Sequence, residues 1–136
     1  MYQRIAHITL LVDDYDKAIE FYTDKLEFVL LEDTKLGDGK RWVMVAPKGA
    51  KECSLVLAKA ANEKQLTRVG DQTGGRVSLF LFTDDFYRDY KKLTDKEIKF
   101  VRHPQDFEYG IVAVFEDLYG NLWDLVQPTE KNKGII

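Results

Sequence analysis

The chain has little of what marks a membrane protein, a disulfide-stabilised protein or a nucleic-acid-binding protein. Cys53 is the only cysteine among 136 residues, so no disulfide can form within the chain, as suits a reducing compartment. The longest apolar run, around 77–82, is about a third of a membrane span. With 20 Lys and Arg against 23 Asp and Glu, the chain carries a net charge of -3 and no basic cluster. We therefore expect a cytosolic protein without a nucleic-acid or membrane partner.

The glycines do not form a phosphate-binding loop either. Gly37, Gly39, Gly74 and Gly75 lack the strand, turn and helix context in which such loops cradle phosphates. The composition, 45% apolar and 32% charged, is that of an ordinary globular protein, and the length suits one compact domain.

The sequence contains two copies of one unit. Segment 7–14 (His-Ile-Thr-Leu-Leu-Val-Asp-Asp) matches segment 78–85 (Ser-Leu-Phe-Leu-Phe-Thr-Asp-Asp), and segment 54–56 (Ser-Leu-Val) matches segment 124–126 (Asp-Leu-Val). A repeat of about 70 residues is too long for a solenoid and indicates two fused half-domains. In this alignment His7 corresponds to Ser78, and Ser54 corresponds to Asp124. At each of these positions one copy has a side chain that can bind a metal, and the other copy has a serine.

Hydrophobic periodicity predicts the same element order in both copies. Module one has a strand that is buried on nearly both faces, a helix capped by Asp13 or Asp14 that continues to Leu26, and three more strands, of which the first two flank a Gly-Asp-Gly hairpin turn. The predicted strands of this module are 4–12, 28–33, 41–46 and 53–58.

Module two is predicted to repeat this order after a linker of about 59–76, in which 58–66 has helical propensity. Its predicted elements are strand 77–83, helix 86–96 capped by Asp84 or Asp85, strand 99–103, a loop over 104–110, and strands 111–116 and 122–127. The expected fold class is α+β, with two tandem βαβββ modules forming a curved mixed-sheet cup with helices outside. We expect a single domain over 1–136, with module one at about 4–58 and module two at about 77–128.

Three segments of the chain resemble the vicinal oxygen chelate superfamily, which includes glyoxalase I, extradiol dioxygenases, fosfomycin-modifying enzymes and bleomycin-resistance proteins. They are 5–13 (Ile-Ala-His-Ile-Thr-Leu-Leu-Val-Asp), 18–28 (Ala-Ile-Glu-Phe-Tyr-Thr-Asp-Lys-Leu-Glu-Phe) and 115–125 (Phe-Glu-Asp-Leu-Tyr-Gly-Asn-Leu-Trp-Asp-Leu). The resemblance covers roughly residues 4–128. It implies a fold more specifically than a function, because the family hosts isomerisation, ring cleavage, thiol transfer and sequestration on one scaffold.

The resemblance also implies a place for a divalent metal such as Zn, Ni, Mn or Fe. In the family's metal enzymes one pair of ligands comes from each module, and the corresponding residues here are His7, Ser54, Ser78 and Asp124. Imidazole and carboxylate are ordinary ligands, but a serine hydroxyl is a poor one, so His7 and Asp124 make an incomplete set. Ser78 in place of a second histidine counts most strongly against extradiol ring cleavage.

His7 and Asp124 are also the candidate catalytic residues. An imidazole beside a carboxylate can act as an acid or a base near neutral pH. The alternative for His7 is a core histidine that a backbone or hydroxyl group satisfies, and whether Asp124 is its partner stays open.

Five further residues are candidate ligand contacts. Arg41 and Trp42 follow the hairpin and would present a cation and an aromatic face to a carboxylate-bearing or planar ligand. Gln72 lies in the linker, and Phe80 and Phe82 would give the cup apolar walls. The alternatives are a surface arginine beside a core tryptophan, and phenylalanines that only fill a closed core.

Two nearby residues are assigned to packing. Cys53 has no histidine close in sequence and is expected to be a small buried apolar residue, with Ser54 taking the inward position. Trp123 neighbours Asp124 and is expected to point the other way, against a helix.

Three functions follow as hypotheses. The first is a protein that binds or acts on a small organic molecule, with glyoxalase-like lyase or isomerase chemistry. The second is a non-catalytic, antibiotic-type sequestering protein without a metal, and the third is a regulatory or structural role. We also expect a homodimer, because members of the resembled family often dimerise.

Overall fold

The computed structural model describes residues 1–130, which belong to two compact units. Unit 1 is Met1–Gln72, and unit 2 begins at Thr73. The last six residues of the expected domain, 131–136, lie outside the described residues.

Unit 1 contains a four-stranded mixed sheet in the order β1-β4-β3-β2, in which β1 and β4 are parallel and the other neighbours are antiparallel. Its elements are β1 (His7–Val12), α1 (Tyr15–Glu20), a π-helical turn (Phe21–Lys25), β2 (Val29–Gly37), β3 (Lys40–Ala46), β4 (Ser54–Lys59) and α2 (Glu63–Leu66).

The helix of unit 1 begins where a side chain caps it. Asp14 is extended and its carboxylate accepts a hydrogen bond from the backbone N–H of Lys17 at 2.9 Å, so Asp14 rather than Asp13 is the N-cap. The periodicity predicts a helix that runs on to Leu26 without a break. The N–H of Leu26 instead reaches back five residues to the carbonyl of Phe21, which widens the last turn into a π-helix.

The predicted hairpin turn between β2 and β3 is confirmed. Gly37, Asp38 and Gly39 have φ angles of 97°, 54° and 77°, so all three adopt the left-handed region that the Gly-Asp-Gly sequence favours.

Unit 2 repeats the arrangement, with a mixed sheet in the order β5-β8-β7-β6. Its elements are β5 (Val77–Phe82), α3 (Phe86–Asp95), β6 (Phe100–Phe107), β7 (Gly110–Glu116) and β8 (Leu122–Pro128). Asp85 caps α3 by accepting from the N–H of Arg88 at 3.2 Å. The α+β class with two tandem βαβββ modules is therefore confirmed. The expectation that both modules form one domain stays a prediction.

The loop predicted over 104–110 is wrong, because β6 continues through Pro104 to Phe107. β6 is the edge strand of its sheet, where a residue without an N–H can be tolerated. The ladder between β6 and β7 is irregular between Arg102 and Gln105, on either side of that proline.

One face of each sheet is apolar and carries the helix. In unit 1, α1 packs against β3 and β4, and the buried residues there are Leu10, Val12, Ala18, Tyr22, Val43, Val45, Leu55 and Leu57. In unit 2, aromatic rings run from α3 across three strands, with centroid distances of 4.6 Å for Tyr90–Phe100, 5.6 Å for Phe100–Phe115 and 5.8 Å for Phe115–Trp123. The other face of each sheet carries both polar and apolar side chains, among them His7 and Trp42 in unit 1 and Asp124 and Phe80 in unit 2.

The expectation that the first strand is buried on nearly both faces is wrong. Leu10 and Val12 are buried on the helix side, whereas His7, Ile8 and Thr9 are exposed. β1 is an edge strand, so its start has a neighbour on one side only. No helix within residues 1–130 is both long and apolar enough to cross a membrane.

Replacing Gly110 should disturb the pairing of β7 with β8. Its φ is +152°, and a Cβ added there would lie 2.5 Å from the backbone oxygen of Gln127. Gly120 has φ +91°, but its added Cβ would meet nothing closer than 3.6 Å. We expect Gly120→Ala to cost about 1–2 kcal/mol, the usual cost of a left-handed alanine. Gly110→Ala should cost clearly more in denaturant unfolding, and equal losses would contradict the register in which β7 pairs with β8.

Candidate functional site

His7 and Ser54 form the centre of the candidate site in unit 1. They are register partners on the parallel strands β1 and β4, so their side chains project from the same face of the sheet. The Nδ1 atom of His7 lies 2.7 Å from the Oγ atom of Ser54, a hydrogen bond. Ser54 is 7% exposed, whereas His7 is open to solvent, so the serine anchors the buried side of the imidazole.

Two side chains of β3 complete this surface, which we call the His7 face (His7, Trp42, Met44 and Ser54). The Trp42 and His7 rings meet edge to face, with centroids 5.8 Å apart and an interplanar angle of 78°. The Ser54 Oγ atom lies 3.8 Å from the Met44 Sδ atom. The Ser54 hydroxyl therefore contacts an imidazole and a thioether, and the indole packs against the imidazole.

A cavity of about 180 Å³ opens beside His7 and Ser54. Leu31, Met44 and Ala46 give it an apolar wall. Pockets for drug-sized ligands usually occupy about 300–1,000 Å³. This cavity therefore suits a small molecule or one end of a larger one.

Cys53 lines the same cavity and is half-buried, so the expectation that it is a buried packing residue is wrong. Strand alternation with Ser54 was the basis of that expectation. Cys53 precedes β4, which begins at Ser54, so alternation does not set its direction.

Arg41 lies on the helix side of the sheet, away from the His7 face. Its guanidinium binds Asp33 through two nitrogens, at 3.0 and 2.7 Å, and Asp16 through the third, at 2.9 Å. It also lies over the ring of Tyr15, 5.1 Å from the centroid. This ion pair holds the pKa of the Asp33 carboxyl below its ordinary value. Arg41 is thus already bound by the chain's own carboxylates, and its expected role as a ligand contact stays a prediction.

Gln72 forms backbone contacts at the free edge of β1. Its Oε1 atom accepts from the N–H of Leu11 at 2.6 Å, and its Nε2 atom donates to the carbonyl of Thr9 at 3.1 Å. The side-chain amide therefore replaces part of a neighbouring strand, which is a structural role.

Asp124 lies in unit 2 on the sheet face away from α3, as its buried neighbour Trp123 takes the helix side. Its register partners are Phe80 on β5 and Val114 on β7. By analogy with His7 and Ser54, Ser78 would stand opposite Asp124. Phe80 stands there instead, two residues further along β5, and Ser78 falls at an irregularity of the ladder between Val77 and Leu79.

The Asp124 carboxylate has no hydrogen-bond partner within residues 1–130. Burial raises the pKa of the Asp124 carboxyl above its ordinary value of 3.8, and the positive charge of Arg102 partly opposes this shift. Phe80 and Phe82, on the same face, are 63% and 39% exposed. Their role as walls of a ligand site stays a prediction, as does a shared site of His7 and Asp124.

The donors around His7 do not fit a divalent metal. Within unit 1 the imidazole bonds to a hydroxyl and packs against an indole, and the hydroxyl borders a thioether; none of these three partners is an ordinary ligand of Zn, Ni, Mn or Fe. Over residues 1–130, no group of three or more His, Cys, Asp and Glu side chains is placed to hold a metal ion. The structure therefore gives no support to a metal-dependent step at His7.

Sequence reasoning missed several residues of this cavity. Met44 was included only as part of a strand, and Arg4, Lys51 and Cys53 lie outside the strands that border the cavity. Strand alternation could have found Met44, which lies two residues from Trp42. No sequence pattern marked the others, because a turn and a chain segment before β1 position them.

Comparison with known proteins agrees with the fold described above. The model of the Glyoxalase/Bleomycin resistance protein/Dioxygenase superfamily matches residues 4–125. The chain belongs to this superfamily. An uncharacterized protein of Shewanella frigidimarina (strain NCIMB 400) is 57% identical over 132 residues, covering 96% of this chain and 98% of the relative.

Two more distant relatives have names that suggest functions. The crystal structure of TnmS3, an antibiotic binding protein from Streptomyces sp. CB03234, has 32% identity and a TM-score of 0.76, covering 94% of this chain and 98% of that protein. A probable lactoylglutathione lyase of Synechocystis sp. (strain ATCC 27184 / PCC 6803 / Kazusa) is 28% identical over 129 residues, covering 93% of this chain and 97% of the relative.

The raised pKa of Asp124 gives a pH-dependent prediction. Because the folded state holds this proton more tightly than the unfolded state, stability falls as pH rises from 3.8 through the raised pKa. Asp124→Asn removes the charge, so it should be more stable than the parent at pH 7, with a smaller advantage below pH 3.8. Urea unfolding across pH measures this. An advantage that grows on acidification would contradict the buried placement of Asp124.

Proposed function

We propose that the chain binds a small organic molecule in the cavity beside His7 and Ser54, and that it does so without a metal ion. The observation that supports this most is the hydrogen bond of 2.7 Å between the His7 imidazole and the Ser54 hydroxyl. It uses Nδ1 and leaves the other ring nitrogen of an exposed imidazole for a ligand. In this proposal the chain holds its ligand without converting it, as an antibiotic-type sequestering protein.

The surroundings of the imidazole suit an organic ligand. The Met44 sulfur gives a polarisable contact, Leu31 and Ala46 give an apolar wall, and the Trp42 ring packs against the imidazole itself. Apolar walls with a few fixed polar groups are typical of small-molecule sites. The similarity to TnmS3, an antibiotic binding protein, agrees with this proposal.

The second candidate is a metal-dependent lyase or isomerase. The similarity to a probable lactoylglutathione lyase favours it. The donors around His7 count against it, because a hydroxyl and a thioether replace the ligands that a divalent cation prefers. Catalysis by His7 together with Asp124 belongs to this candidate and stays a prediction.

We further propose that the protein forms a homodimer. The exposure of Phe80 and Phe82 supports this, because association would remove apolar rings from water. Sedimentation analysis tests it, and a monomer at working concentrations would contradict it. The cytosolic location and the lack of a nucleic-acid partner stay predictions.

Metal supplementation separates the two candidate functions. Purified protein is incubated with Zn²⁺, Ni²⁺, Mn²⁺ or Fe²⁺, exchanged into metal-free buffer and analysed for bound metal and lactoylglutathione lyase activity. We expect metal far below one ion per chain and no activity above that of a His7→Ala variant. One ion per chain, with activity that His7→Ala abolishes, would favour the lyase.

His7→Ala should weaken ligand binding more than it weakens the fold. Loss of one hydrogen bond to a ligand is expected to raise Kd roughly 3- to 10-fold. The change in unfolding midpoint should be small, because His7 is exposed and water in the cavity can replace the imidazole as the partner of the Ser54 hydroxyl. The test ligand is the compound that gives the largest thermal shift in a small-molecule screen, and Kd is measured by calorimetry.

His103→Ala is the matched control, since His103 is the other histidine of the chain and is exposed on β6 in unit 2. It should leave Kd unchanged. Equal Kd values for His7→Ala and the parent protein would remove His7 from the site.

A further inference from the structure

The charged side chains that line the cavity are both cationic. Arg4 and Lys51 lie at its wall, and no Asp or Glu lines it. The chain as a whole carries a net charge of -3, so this local excess of positive charge runs against the average. Neither cation was a candidate in the sequence, where the expected anion contact was Arg41.

The two cations are available to a ligand. Arg4 donates from one terminal nitrogen to the backbone carbonyl of Glu52 at 3.1 Å, which fixes the guanidinium near the segment before β4 and leaves its other N–H groups. Within residues 1–130, neither Arg4 nor Lys51 forms an ion pair. Arg41 differs, because its guanidinium is bound by Asp33 and Asp16.

The nearest acidic residue in sequence does not line the cavity. Glu52 stands between Lys51 and Cys53, and its carboxylate accepts a hydrogen bond from the backbone N–H of Lys51 at 3.1 Å. It reduces the positive potential near Lys51 without occupying the wall. The cavity therefore combines a cationic end with the apolar wall of Leu31 and Ala46.

We infer that Arg4 and Lys51 form an anion subsite, so that the ligand of this cavity is an organic carboxylate with an apolar body. The inference rests on the proposed function and names its ligand class. The guanidinium fork matches the two oxygens of a carboxylate, and the ammonium adds a second charge. The His7 imidazole and the apolar wall of Leu31 and Ala46 then contact the body of the ligand.

A matched pair of probes isolates the charge. 1-Naphthaleneacetate and 1-naphthaleneacetamide have nearly the same size and ring, and only the first is an anion at pH 7. Binding of each is measured by calorimetry. Whether a probe lies in the cavity is tested by the rate at which iodoacetamide alkylates Cys53, which is the single thiol of the chain and lines the cavity.

The variants separate a local effect from a change in net charge. Arg4→Gln with Lys51→Gln removes both subsite cations. Lys48→Gln with Lys64→Gln removes two exposed cations that do not line the cavity. Both double variants therefore change the net charge by the same amount.

The expected result is a preference for the acetate over the acetamide by roughly five- to tenfold, the size that two partly solvated charge contacts give. The preference should fall towards one in Arg4→Gln/Lys51→Gln, persist in Lys48→Gln/Lys64→Gln, and shrink with added salt. Both probes should slow the alkylation of Cys53.

Two outcomes would overturn the inference, and they differ. If both probes protect Cys53 with equal affinity, the anion subsite is refuted and the proposed small-molecule cavity stands. If neither probe binds or protects Cys53, the inference fails together with the proposal that this cavity binds small aromatic molecules.

Discussion

The hydrogen bond between His7 and Ser54 is the interaction on which the account of this protein depends. It exists because β1 and β4 pair in parallel with these two residues in register, so that both side chains leave the same face of the sheet. A shift of one residue would turn the imidazole toward the helix side and remove it from the cavity. The backbone pairing of β1 with β4 therefore determines where the imidazole lies.

Each sheet divides its two faces between packing and chemistry. In unit 1 the helix side buries Val43, Val45 and Leu57 completely, and the other side keeps His7 and Trp42 accessible. Unit 2 has the same division, but Phe80 rather than Ser78 pairs with Asp124. The two units thus share an architecture, and they differ in the side chains on the sheet face opposite the helix.

Much of the fold could be predicted from the sequence, because the repeat and the hydrophobic pattern specify the order of elements. The errors have local causes. Pro104 suggested a loop, but an edge strand tolerates proline, and the helix stripe to Leu26 did not reveal the π-helical turn. The repeat also indicated His7 as a site residue, although its observed hydrogen-bond partner is Ser54.

The remaining site residues could not be predicted, because their roles depend on partners far away in the sequence. Arg41 was a reasonable anion contact until Asp16 and Asp33 were seen to bind it. Gln72 was a reasonable ligand contact until its amide was seen to bond to β1. Arg4 and Lys51 lie 47 residues apart, and the segment before β4 brings them to one cavity.

The most direct test of the central claim is the nuclear magnetic resonance of the two imidazoles, because His7 and His103 are the only histidines in the chain. Long-range proton–nitrogen spectra are recorded during titration with 1-naphthaleneacetate. The account predicts that the ring nitrogens of His7 shift with saturation while those of His103 stay in place. Unchanged His7 resonances at saturating probe would contradict it.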